Sequence, residues 1–77
     1  MVEFKLINID GDVYHYEYYP NGETSKKGSF RYDVKKKDIY DYNEAPYVNG
    51  RKFFLMTLRG LRDENNEFKE SGIVAWY

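Results

Sequence analysis

Three short stretches alternate apolar and polar residues at a strict period of two. Val2, Phe4 and Leu6 alternate with Glu3 and Lys5, and Tyr14, Tyr16 and Tyr18 with His15 and Glu17. Phe30, Tyr32 and Val34 alternate with Arg31, Asp33 and Lys35. Successive side chains of a strand point to opposite faces, so this period builds a sheet with one dry and one wet face. Parallel sheets are covered on both sides, which leaves an antiparallel sheet. With 77 residues to cover the dry face, there is room for a single small domain over residues 1–77.

Asp10-Gly11-Asp12 separates the first two stretches and supplies a glycine free to take a positive φ. Parity then decides the register. A two-residue loop at Asp10-Gly11 pairs Leu6 with His15 and Phe4 with Glu17, sending the tyrosines to the opposite face. An odd-length loop with a bulge gathers Phe4, Leu6 and the tyrosines on one buried face and sets Lys5 across from Glu17, an opposite-charge pair. The odd loop is expected. Pro20-Asn21-Gly22 ends the second strand, and Lys35-Lys36-Lys37 connects the third to a shorter, more polar one at Asp38-Ile39-Tyr40-Asp41-Tyr42.

Residues 51–61 read as the one substantial helix. At about 100° per residue, Arg51, Lys52, Arg59 and Arg62 fall on one arc and Phe54, Leu58 and Leu61 on the opposite one, with Phe53 and Thr57 beside them. Read as a strand, the stretch is apolar on both faces, which a small sheet cannot cover. Asn49-Gly50 starts the helix and Asp63-Glu64-Asn65-Asn66 follows it. Gly72-Ile73-Val74-Ala75-Trp76-Tyr77, with no polar alternation, reads as a central strand. The fold class is α+β: a single antiparallel β-sheet of about five strands with one helix packed across one face, in the order β-β-β-β-α-β.

Several function classes lose their footing in the composition. There is no cysteine, hence no disulfide frame, thiol catalysis or thiolate metal site. Net charge is −1, so no overall field recruits nucleic acid. The sign alternates in blocks, acidic over 1–22, 38–50 and 63–77 and basic over 23–37 and 51–62. The longest apolar run, Phe53-Phe54-Leu55-Met56, is too short to span a bilayer, and no signal-peptide apolar region opens the chain. A cytoplasmic protein without membrane contact is expected.

The segments Lys5-Leu6-Ile7-Asn8-Ile9-Asp10-Gly11-Asp12, Tyr16-Glu17-Tyr18-Tyr19-Pro20 and Glu70-Ser71-Gly72-Ile73-Val74-Ala75-Trp76-Tyr77 resemble a family of small bacterial proteins that share the closing Ser-Gly-x-Val-Ala-Trp-Tyr motif. The resemblance covers about the first quarter and last tenth of the chain. It implies a bacterial origin, and no activity, ligand or site residue comes with it.

No catalytic set assembles by motif. His15 has Glu17 two residues away on its strand face, a spacing that ordinary sheet residues share. Ser25, Ser29 and Ser71 lie outside any nucleophile-elbow context. Asp10-Gly11-Asp12 lacks the acid spacing of a calcium loop, and no phosphate-binding glycine motif occurs. No cofactor or metal is expected, and an enzyme ranks third among the readings. A non-enzymatic binding or regulatory module for a protein partner, self-association included, ranks first. Nine tyrosines exceed what a small core needs, and Tyr40, Tyr42 and Tyr47 sit in a polar segment suited to an interface. The alternative is single-stranded nucleic-acid binding through Lys26, Lys27, Phe30, Arg31 and Tyr32, a basic–aromatic strand. Sharing of a face by Phe30, Tyr32 and Val34 favours core over ligand, so nucleic acid is disfavoured.

Overall fold

In the computed structural model, which describes residues 1–75, β1 (Val2–Asp10) and β2 (Val13–Pro20) form the first hairpin. Its loop holds two residues, Gly11 and Asp12, with Asp10 opposite Val13 and Gly11 at φ +61. Glycine at the first loop position suits the twist of a two-residue hairpin. The expected odd loop is therefore replaced by an even one, and the odd residue lies elsewhere. A bulge between Leu6 and Asn8 leaves Ile7 unpaired and shifts the register by one. Lys5 accordingly stands opposite Glu17, Phe4 opposite Tyr18 and Leu6 opposite Tyr16. Phe4, Tyr16 and Tyr18 are buried and Lys5 is exposed, the outcome that burial of one face demands.

A short 3-10 turn (Thr24–Lys26) leads into β3 (Gly28–Asp33), which pairs with β2, and β4 (Asp38–Asn43) pairs with β3. Val34 lies just past β3, so the third alternating stretch sends only Phe30 and Tyr32 inward from the strand. Asp33 Oδ1 accepts from the N–H groups of Lys35 and Lys36 at 3.0 and 2.9 Å and shapes the lysine turn. β5 (Ser71–Val74) pairs antiparallel with β1, giving the strand order β4-β3-β2-β1-β5. The final strand is thus an edge strand and not a central one. Its apolar run is not a sign of burial on both faces, because Ile73 is 67% exposed. Trp76 and Tyr77, expected to belong to it, lie outside the described residues.

The helix α1 (Gly50–Gly60) lies across the dry face. Phe53, Phe54 and Thr57 are its buried side chains, and Leu61 beyond its end is buried too, while Leu58 is only half-buried. The buried arc is therefore turned toward Phe53 and Thr57 from the expected Phe54–Leu58–Leu61 centre. Thr57 is tolerated there because its hydroxyl donates to the Phe53 carbonyl at 2.9 Å. The architecture is the α+β one read from the sequence, one antiparallel five-stranded sheet with one helix across it.

Aromatic rings link the two layers, with Phe54 meeting Tyr18, Phe30 and Tyr42. Phe30 stacks on Tyr16 with centroids 5.5 Å apart and meets Phe54 edge-on at 5.2 Å. Tyr18 reaches past them to the β4–α1 loop, where its hydroxyl accepts from the Ala45 N–H at 3.0 Å and lies 3.2 Å from the Tyr42 hydroxyl. Removing that hydroxyl in Tyr18→Phe strands a buried N–H, and we expect a loss of about 1–3 kcal/mol in urea unfolding. An unchanged midpoint would show that the loop does not depend on it.

Candidate functional site

The two residue sets marked by the sequence are dispersed by the fold. Tyr40 stands opposite Arg31 and is exposed, whereas Tyr42 turns inward onto Phe54 with centroids 4.3 Å apart. A bulge in β4, with Asp41 at φ +52, separates the two faces. Regular alternation would have kept these tyrosines together. Tyr47 is half-buried against Phe53, and its hydroxyl accepts from Asn21 Nδ2 at 2.7 Å. Tyr40, Tyr42 and Tyr47 therefore do not form one exposed patch.

The basic–aromatic strand is divided in the same way. Phe30 is fully buried, and Tyr32 is half-buried with its ring against Phe68 and its hydroxyl accepting from Arg62 at 3.1 Å. Arg31, on the opposite face, pairs with Asp41 at 3.3 Å. Lys27 pairs with Glu17 at 2.9 Å, and Lys26 lies over the Tyr47 ring, 5.4 Å from its centroid. Neither ring offers a free stacking face beside these cations. Lys26 with Tyr47, and Arg31 with Tyr40 across β3 and β4, are the members of the two sets that the fold brings together.

On the wet face, His15, Ser29, Arg31, Asp41, Tyr42 and Asn43 line a shallow polar recess of about 450 Å³. The acid that would orient His15 is already engaged. Burial raises the Glu17 carboxyl, but the Lys27 ammonium and the Tyr19 hydroxyl, which donates at 2.8 Å, outweigh it and hold Glu17 below its usual value. Among the described residues no group of three or more His, Asp or Glu side chains could hold a metal ion. Among them, too, no helix is long and apolar enough to cross a membrane.

A different feature was not marked by the sequence reading. β1 has nine residues and β5 only four, and β5 pairs with Val2–Lys5 alone. Beyond it, Ile7–Asp10 overhangs with β2 on one side and, among the described residues, no strand on the other. Ile7 is 43% and Ile9 53% exposed there. With Lys5, Leu6, Asn8, Glu70 and Ser71 they line a cleft of about 440 Å³. An unpaired edge carrying exposed aliphatic side chains is a template for another strand.

The walls of this cleft are fixed from the core outward. The Tyr16 hydroxyl donates to the Lys69 carbonyl at 2.8 Å, and the Leu6 N–H donates to the Glu70 carbonyl at 2.7 Å. Phe68 anchors the loop ahead of β5, its ring 5.4 Å from Tyr14 and 5.2 Å from Tyr32. The Arg62 guanidinium covers the Phe68 ring at 4.6 Å. The sequence does carry one signal of the overhang: Ile7-Asn8-Ile9 breaks the parity of Val2, Phe4 and Leu6 and extends the strand with two more aliphatic residues.

Compared with protein-family models, curated proteins and solved structures, the chain matches none of them.

Proposed function

We propose that this chain is a non-enzymatic module that binds a protein partner at the overhanging edge of β1. The observation that carries the reading is the four-residue overhang Ile7–Asp10, with Ile7 and Ile9 exposed along an unpaired edge. Backbone hydrogen bonds from an added strand would supply affinity, and pockets for alternate side chains would supply selectivity. A cytoplasmic setting and the absence of a cofactor belong to the same reading. Burial of Phe30 and the ring contacts of Tyr32 weigh against base stacking, which leaves nucleic acid as the outcome that would replace it.

A titration separates the two. A short synthetic peptide of alternating valine and lysine is expected to shift the backbone amides of Ile7–Asp10 and Ser71. Ile9→Lys should abolish those shifts while changing stability by no more than about 0.5 kcal/mol, as surface substitutions do. If the peptide leaves that edge unmoved while a single-stranded oligonucleotide shifts Lys26, Lys27 and Arg31 and loses affinity with added salt, the reading is wrong.

A further inference from the structure

Two surfaces of this molecule are complementary in charge and alike in apolar character. The first is the solvent side of α1. The helix contains no acidic residue, and Arg51, Lys52 and Arg59 are exposed along it around Leu55, which is 46% exposed. Spacings of three, four and eight residues place these side chains on one stripe of a helix. Val48, 81% exposed, lies in the turn just ahead of the helix, before Asn49 at φ +62. Among the described residues neither Arg51 nor Arg59 has an ion-pair partner. The second surface is the β1 overhang. Ile7 and Ile9 are bordered by Asp10 and Asp12 at the hairpin tip and by Glu70 at the cleft wall, all exposed. Lys5, the one cation among the described residues lining that cleft, stands across β1–β2 from Glu17.

We propose that the occupant of the β1 overhang is the basic helix face of a second copy of this chain. The inference rests on the protein-binding reading above for the edge and the class of partner, but replaces the added strand. Backbone groups within a helix are already bonded to one another, so this partner meets the overhang through side chains. Ile7 and Ile9 of one copy meet Leu55 and Val48 of the next, and Asp10, Asp12 and Glu70 face Arg51, Lys52 and Arg59. Self-pairing of two β1 edges is the poorer arrangement, since it brings the acidic hairpin tips of both copies against Glu70. Contact between unlike surfaces is heterologous, so assembly proceeds from copy to copy unless the rotation closes a ring. The two surfaces are small, so the association is weak, and the charges make it salt-sensitive.

Sedimentation at increasing protein concentration tests this with the full chain. At low salt the average mass should rise with concentration, and high salt should suppress the rise. The double variant R51E/R59E and the double variant D12K/E70K should each weaken association by at least about tenfold, because like charges then face each other. An equimolar mixture of the two variants should associate again, since each carries the complement of the other. Far-UV circular dichroism checks that both fold, and R51Q/R59Q must weaken association in the same direction if the reversed pair does not. A mass that stays monomeric at every concentration, association indifferent to salt or to either reversal, or failure of the mixture to associate would each overturn the proposal. None of these outcomes bears on the peptide titration, so the binding edge and its occupant fail separately.

Discussion

Phe30→Ala is expected to leave most of the chain unfolded at room temperature. Phe30 is fully buried, and its ring touches Tyr16, Tyr18 and Phe54, joining β2, β3 and α1. Truncating a buried phenylalanine removes transfer free energy and leaves a cavity, together about 3–5 kcal/mol. A domain of this size holds about the same amount in reserve. Loss of the near-UV aromatic signal and of cooperative urea unfolding would be the result. Phe30→Leu, which keeps an aliphatic side chain in the cavity, should fold with a lower midpoint. A cooperative Phe30→Ala protein within 1 kcal/mol of the parent, roughly the size of an ordinary surface effect, would show that the two layers do not meet through this ring.

Alkaline pH should unfold the protein well before an ordinary small domain yields. Burial raises the hydroxyls of three tyrosines above the usual value of 10.0. Tyr19 rises to about 12, by burial first and then by its hydrogen bond to the Glu17 carboxylate. Tyr16 rises by burial and by its neighbour Tyr14, and Tyr42 by burial and by its hydrogen bond with Tyr18. Unfolded tyrosines lose their protons near 10, while these three hold theirs in the folded state. Above that pH the unfolded chain binds fewer protons than the native one, so stability falls as pH rises. The contribution is complete below pH 10 and is lost through the range in which the folded hydroxyls titrate. Urea midpoints should therefore drop steeply above pH 10, with tyrosinate absorbance appearing together with unfolding. Ionisation of all nine tyrosines near 10 in a still-folded protein would contradict the buried network. On the acid side the sign is reversed and the effect smaller. Glu17 is held low, so its contribution is present at neutral pH and is lost as pH falls below the ordinary carboxylate range.

The α+β order and the identity of the dry face were legible because the alternation of Phe4, Tyr16, Tyr18 and Phe30 admits only one buried face. The register of the first hairpin was legible for the same reason: pairing Lys5 with Glu17 is what burying Phe4 beside Tyr18 requires. How the chain reached that register was not. The expected odd loop with a bulge and the observed even loop with a bulge at Ile7 both set Lys5 opposite Glu17, and Gly11 at the first loop position favours the two-residue turn. The positive φ of Asp41 is equally local, and it alone parts Tyr40 from Tyr42. Phe68 was hidden because it lies in an acidic loop without periodicity, where nothing in its neighbours marks it as the ring that caps Tyr14 and Tyr32. The place of β5 at the edge depends on which side of β1 stays open, a property of the whole sheet. The binding edge follows from that placement and from the difference in length between β1 and β5, so it becomes visible only once the sheet is assembled.

The most direct test of the account is a dilution series followed residue by residue in the backbone amide spectrum of the isotopically labelled protein at low salt. Contact between copies through the β1 overhang and the helix face predicts concentration-dependent shifts at Ile7–Asp10, Asp12 and Glu70 together with Arg51, Leu55 and Arg59. The amides of the interior strands β2 and β3 should stay fixed. A spectrum unchanged across the series, or shifts gathered instead at Lys26, Lys27 and Arg31, would contradict it.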